Sequence, residues 1–87
     1  MTETRETRIK RMKMRSMRRG IKEMDLILTA YADATLDRMD DAALDLYDAL
    51  LHENDQDLYQ WVTGQVPTPD PFGPLVAEIA QALQKPA

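Results

Sequence analysis

The formal charge of this chain changes sign once, across Met17-Arg18-Arg19-Gly20-Ile21-Lys22-Glu23-Met24-Asp25, and the first long helical pattern breaks at the same place. Nine of the eleven basic residues lie at or before Lys22, and thirteen of the fifteen acidic residues lie at or after Glu23. The net charge of −4 therefore hides a basic arm joined to an acidic remainder. Segregation of this kind reads as a surface made to be recognised by something else. With 87 residues, the chain suffices for one domain with a modest core.

Apolar spacing on either side of the break is helical. Between Thr4 and Arg19 there is no proline or glycine; Ile9, Met12, Lys13 and Ser16 share one face, and Arg8, Arg11, Arg15 and Arg18 share another. This predicts an amphipathic helix with a methionine-rich seam and a basic stripe, ended by Gly20 in the left-handed conformation that glycine adopts most easily. Ile21, Met24, Leu28 and Tyr31 predict a second helix from Ile21 or Lys22 to the low thirties. Asp40 is a good N-cap for a third, with Ala43, Leu44, Tyr47, Leu50 and Leu51 turned inward and Asp41, Asp45 and Asp48 opposite.

After a break at Glu53-Asn54-Asp55, Leu58, Trp61 and Val62 predict a brief fourth helix ending near Gly64, with Trp61 in the core. The prolines of Val66-Pro67-Thr68-Pro69-Asp70-Pro71 predict an extended or turned loop. Leu75, Val76, Ile79, Ala80 and Leu83 then predict a last helix from Pro74. No strand alternation or internal repeat is visible. The expected architecture is an all-α, single-domain five-helix bundle, with residues 1–7 a flexible extension, 8–84 the domain and 85–87 a frayed tail.

Several chemistries are excluded by inventory. Without cysteine there is no disulfide framework, thiolate metal site or thiol nucleophile, and a reducing compartment fits. One histidine, His52, supports neither a catalytic triad nor a distinctive metal-ligand set. The acidic run from Asp33 to Asp48 lacks the order and glycine of a calcium loop and reads as solvated helix faces. The three glycines stand too far apart for a phosphate loop. No window is apolar enough to enter a membrane. A charged N-terminus carrying Glu3 and Glu6 argues against secretory and organellar targeting, so a cytoplasmic location is expected.

Two features remain for function. Met12, Met14, Met17 and Met24 suit either a plastic partner surface or ordinary core filling. The arginine stripe suits either phosphate contact or solvent, and an adaptor for nucleic acid or another anionic surface is the alternative reading of the chain; no aromatic accompanies the stripe, which disfavours nucleic acid. Arg19-Gly20-x-x-Glu23 asks for more, because a glycine inside a helix costs about 1 kcal/mol relative to alanine. It must either end the helix or let another surface approach.

The segment Arg18-Arg19-Gly20-Ile21-Lys22-Glu23-Met24-Asp25 resembles the RGxxE signature of the SdhE-type FAD assembly factors, which promote covalent flavin attachment to the flavoprotein subunit of succinate dehydrogenase. Leu50-Leu51-His52-Glu53-Asn54-Asp55-Gln56-Asp57-Leu58-Tyr59-Gln60-Trp61 resembles a second stretch of that family, with His52 displacing Glu53 by one position. The resemblance covers roughly residues 8–83. It implies a five-helix, non-enzymatic chaperone that docks on the flavoprotein subunit of succinate dehydrogenase or fumarate reductase, using Arg15, Arg18, Arg19, Gly20, Glu23 and Asp25. It implies too that FAD is held by the partner, whose own histidine forms the bond to the flavin, and that this chain holds no cofactor stably.

Overall fold

Thr4 opens the first helix, its side-chain oxygen accepting a hydrogen bond from the Thr7 N–H at 3.1 Å. The computed structural model describes residues 3–84, so the tail expected at 85–87 lies outside the described residues. Five α-helices follow one another: α1 (Arg5–Ser16), α2 (Lys22–Thr35), α3 (Asp41–Leu51), α4 (Asp55–Val62) and α5 (Gly73–Gln84), with a 3-10 turn at Leu36–Arg38. The helix α1 begins inside the stretch read as an extension. Among the described residues there is no strand, and the all-α five-helix bundle is the fold.

Local signals place most boundaries. Asp40 accepts from the Ala43 N–H at 2.8 Å and opens α3; Asn54 accepts from the Gln56 N–H at 2.8 Å and opens α4. Gly64, at φ 79°, takes the left-handed conformation just beyond α4. At the end of α1 the expectation fails: the helix stops at Ser16, and the left-handed residue is Arg18, at φ 54°, with Gly20 outside that region. The cause is a carboxylate. Asp25 accepts the Arg18 N–H at 2.7 Å, a capture that offsets the steric cost of a non-glycine residue there.

The helix α2 runs through the centre of the bundle, touching α1, α4 and α5. Met12, Met24, Leu28, Leu36, Leu44, Leu50, Leu58 and Ile79 are essentially removed from solvent around it. The four methionines divide accordingly: Met12 and Met24 fill the core, whereas Met14 and Met17 are exposed. Trp61 packs half-buried at the core's edge, its ring 6.1 Å from that of Phe72. Leu83, expected inside, is exposed.

Charge segregation has an internal use. The helices α1 and α3 lie side by side and parallel, and their charges match in order: Arg5 with Asp41 at 3.6 Å, Arg8 with Asp45, and Arg15 with Asp48 at 2.8 Å. Arg11 lies 3.6 Å from Asp48 and 3.0 Å from Glu3. The aspartates read as solvated faces thus meet the arginine stripe.

Beneath this charged seam is a buried polar pair. Ser16, fully buried near the end of α1, donates to or accepts from the Tyr47 hydroxyl at 2.6 Å and is also bonded to the Met12 carbonyl at 2.9 Å. Burial pushes the Tyr47 phenol up to about 12, partly opposed by Ser16. Burial, with the Glu78 carboxylate nearby, raises Tyr31 as well.

Two outcomes are expected. Asp48→Ala removes an acceptor shared by Arg11 and Arg15 and should cost about 1–2 kcal/mol by denaturant titration, whereas Asp41→Ala should cost less than about 0.5 kcal/mol. Because Tyr47 binds its proton more tightly when folded, its stabilising contribution is complete below the ordinary value of 10 and is lost as pH rises towards about 12. Phenolate absorbance and circular dichroism should therefore change together in that interval.

Candidate functional site

The turn between α1 and α2 is pinned by two carboxylates from different helices. Asp25, in the first turn of α2, holds the Arg18 N–H, while its other oxygen lies 3.3 Å from the Thr29 hydroxyl. Asp55, the first residue of α4, accepts the Gly20 N–H at 2.5 Å through Oδ2. Its Oδ1 accepts from Arg19 Nε at 2.7 Å. Neighbouring residues in one turn are therefore bound to one carboxylate thirty-five positions away.

The Arg19 side chain is only 10% exposed and turns inward. Its guanidinium donates to the carbonyls of Arg15 at 3.0 Å, Leu51 at 3.1 Å and Glu53 at 3.4 Å, besides Asp55. The carbonyls of Arg15 and Leu51 belong to the ends of α1 and α3, where helix geometry leaves acceptors without intrahelical partners, and that of Glu53 to the link into α4. The fork of a guanidinium suits this task, having several donors in a fixed plane. A single side chain thus ties three helices at one corner.

Gly20 owes its identity to space. A Cβ at that position would stand 3.1 Å from Asp55 Oδ2, close enough to make the carboxylate shift. The residue is exposed on its outer side and borders a shallow notch of about 370 Å³ lined by Gly20, Ile21, Glu53, Asn54, Asp55 and Gln56. Glu23, in the first turn of α2, is exposed, and its carboxylate makes no ion pair or hydrogen bond among the described residues. Arg18 is exposed too, and Arg15 is half-buried between Asp48 and His52.

The six residues expected at the site therefore separate by direction. Gly20, Glu23 and the Arg18 side chain face outward, while Arg19 and Asp25 hold the turn and Arg15 joins the seam with α3. Sequence reasoning missed Asp55, although it stands in the second quoted segment. The missed signal was an unmatched aspartate beside the Asn54 cap. Three of the four arginines of the basic stripe are already paired, Arg8 with Asp45, Arg11 with Glu3 and Asp48, and Arg15 with Asp48, which weakens the reading of an anionic-surface adaptor.

A larger cleft, about 760 Å³, lies at the other end of α2 and α3 between Met39, Leu46, Leu75 and Glu78. None of the motif residues lines it. Among the described residues, no group of three or more histidines, aspartates or glutamates gathers as metal ligands would, and no helix is long and apolar enough to cross a membrane.

A family model described as flavinator of succinate dehydrogenase matches residues 10–84. The chain is 44% identical over 88 residues to a protein of Meyerozyma guilliermondii named succinate dehydrogenase assembly factor 2, mitochondrial, an alignment spanning 98% of this chain and 64% of that protein. A protein of the same name from Aspergillus flavus is 45% identical over 60 residues, 69% of this chain and 20% of its own length. Another, from Candida glabrata, is 46% identical over 70 residues, 79% of this chain and 46% of its own. The chain thus spans less than two thirds of each of these proteins.

The mitochondrial names overturn the cytoplasmic expectation. That expectation rested on Glu3 and Glu6 at the start of the chain, and the start of a chain that spans only part of its relatives carries no weight about targeting.

The corner geometry sets a hierarchy that thermal or chemical melts can check. Arg19→Ala leaves Asp55 and three carbonyls without their donor and should cost about 3 kcal/mol or more. Gly20→Ala requires only a small movement of Asp55 and should cost about 1 kcal/mol.

Proposed function

The chain belongs to the flavinator of succinate dehydrogenase family, and from that membership we propose that it is an assembly factor that docks on the flavoprotein subunit of succinate dehydrogenase and promotes covalent attachment of FAD to it. The observation that carries this reading is the meeting of the two sequence segments at one corner, where Asp55 fixes the turn that displays Gly20 and Glu23. Gly20 offers bare backbone for close approach. Glu23 stands ready for a charge-assisted hydrogen bond beside it.

In this reading the factor supplies position and the partner supplies the chemistry. FAD brings the ring carbon at which attachment occurs, and it is the flavoprotein subunit that holds it. This chain has no glycine-rich cradle for a dinucleotide, since Gly20, Gly64 and Gly73 stand far apart, the first two beyond helix ends and the third at the start of α5. Stabilising the partner conformation in which the reacting groups are aligned accelerates attachment without any catalytic group on the factor, because correct orientation alone removes several kcal/mol of barrier.

Co-expression with the flavoprotein subunit tests the reading. Flavin fluorescence retained on a denaturing gel should rise in the presence of the wild-type chain; no change would sink the proposal. Gly20→Arg should lose the stimulation while keeping its helical circular dichroism, and Glu23→Ala should weaken subunit binding by about tenfold. The same assay run with the fumarate reductase flavoprotein decides whether that subunit is also a partner.

A further inference from the structure

The arginine of an outward-facing docking motif is an obvious contact residue, yet here its side chain points the other way. Four acceptors surround the Arg19 guanidinium, all from this chain, and the group is nearly buried. Asp55 is similarly sheltered, at 16% exposure, and divides its two oxygens between Arg19 Nε and the Gly20 N–H. Ile21, the residue at the N-cap of α2, supplies no side-chain cap. The orientation of the Gly20 peptide is therefore set from outside its own helix.

We propose that Asp55 is a positioning residue for partner docking, and that Arg19 acts through Asp55 without touching the partner. Arg19 holds the carboxylate in place; the carboxylate holds the Gly20 peptide; the peptide sets where the backbone of Gly20 and the first turn of α2, with Glu23, meet the other protein. A carboxylate accepting two charge-matched or backbone donors is directional in a way that a surface ion pair is not. Loss of either member lets the turn relax away from the docked geometry even in a folded chain. The inference rests on the functional reading above and adds to it a division of labour within the motif.

The test is a double-mutant cycle on affinity for the purified flavoprotein subunit of succinate dehydrogenase, using Arg19→Gln, Asp55→Asn and the double variant. Each variant is studied below its melting temperature, where circular dichroism shows it folded. The Gly20 amide proton is followed by NMR in the free chain. Leu75→Ala, a buried position lining the cleft at the far end of α2, serves as a control for loss of stability alone.

Each single variant should weaken binding by about tenfold or more and shift the Gly20 amide resonance. The double variant should bind no worse than the weaker single, because residues acting as one unit are not additive. Leu75→Ala should bind as the wild type does. Additive losses would show that Arg19 also contacts the partner and would overturn the proposal, as would wild-type affinity in a folded Asp55→Asn chain. An unmoved Gly20 amide in Asp55→Asn would remove the latch itself. If the wild-type chain does not bind the subunit at all, the functional reading fails and this inference with it; a Gly20 amide that still responds to Asp55→Asn distinguishes that outcome from failure of the latch.

Discussion

The bridge between Arg19 and Asp55 is the constraint on which the corner of this fold depends. Helices α1 and α3 end close together, and each end carries carbonyls that no further turn can satisfy. Water could solvate them, but a guanidinium covering all three lets the ends pack closely against the start of α4. Its charge then needs a counterpart, because a sheltered cation without one costs several kcal/mol. Asp55 is that counterpart, and its spare oxygen is what orders Gly20.

A second electrostatic arrangement runs along α1 and α3, and the two differ in character. The pairs from Arg5–Asp41 to Arg15–Asp48 are mostly open to solvent, so each contributes little to stability. Both rows repeat at helical intervals, so a slip by one turn would still set Arg8, Arg11 and Arg15 beside Asp41, Asp45 and Asp48; the pairs favour α1 facing α3 without fixing the register. The apolar contacts of Met12, Leu44, Tyr47 and Leu50 supply most of the packing energy beneath. Charge brings the two faces together, and burial sets and stabilises their alignment.

Most of the fold was legible because helical period and caps act locally. The Asp40 cap, the inward face of α3, the end of α4 at Gly64 and the extended proline loop all follow from residues within a few positions of one another. What was not legible involved partners distant in sequence. The arginine stripe shows basic charge at helical spacing, but nothing in its own pattern says that Asp45 and Asp48 will lie beside it. Gly20 announces a special backbone position, and the natural inference was a left-handed cap. The requirement turned out to be room for a carboxylate from α4, while Asp25 drew Arg18 into the left-handed region instead. Resemblance to a known motif singled out this turn, and only the fold could say which of its side chains face inward.

That division between inward and outward residues explains how one short segment can be a helix junction and also serve as the docking surface we propose. A junction demands rigid, satisfied backbone; docking demands exposed groups in fixed positions. Were the turn held by its own side chains alone, the residues most useful for contact would be consumed in stabilising it. Here the restraint comes from Asp25 and Asp55, on either side, so Glu23 and the outer face of Gly20 stay free. The stiffness required for recognition is thus drawn from the second sequence segment, and the two segments are parts of one device even though more than thirty residues separate Arg19 from Asp55. A partner that meets this surface meets a backbone already ordered, and does not bear the conformational entropy of ordering it.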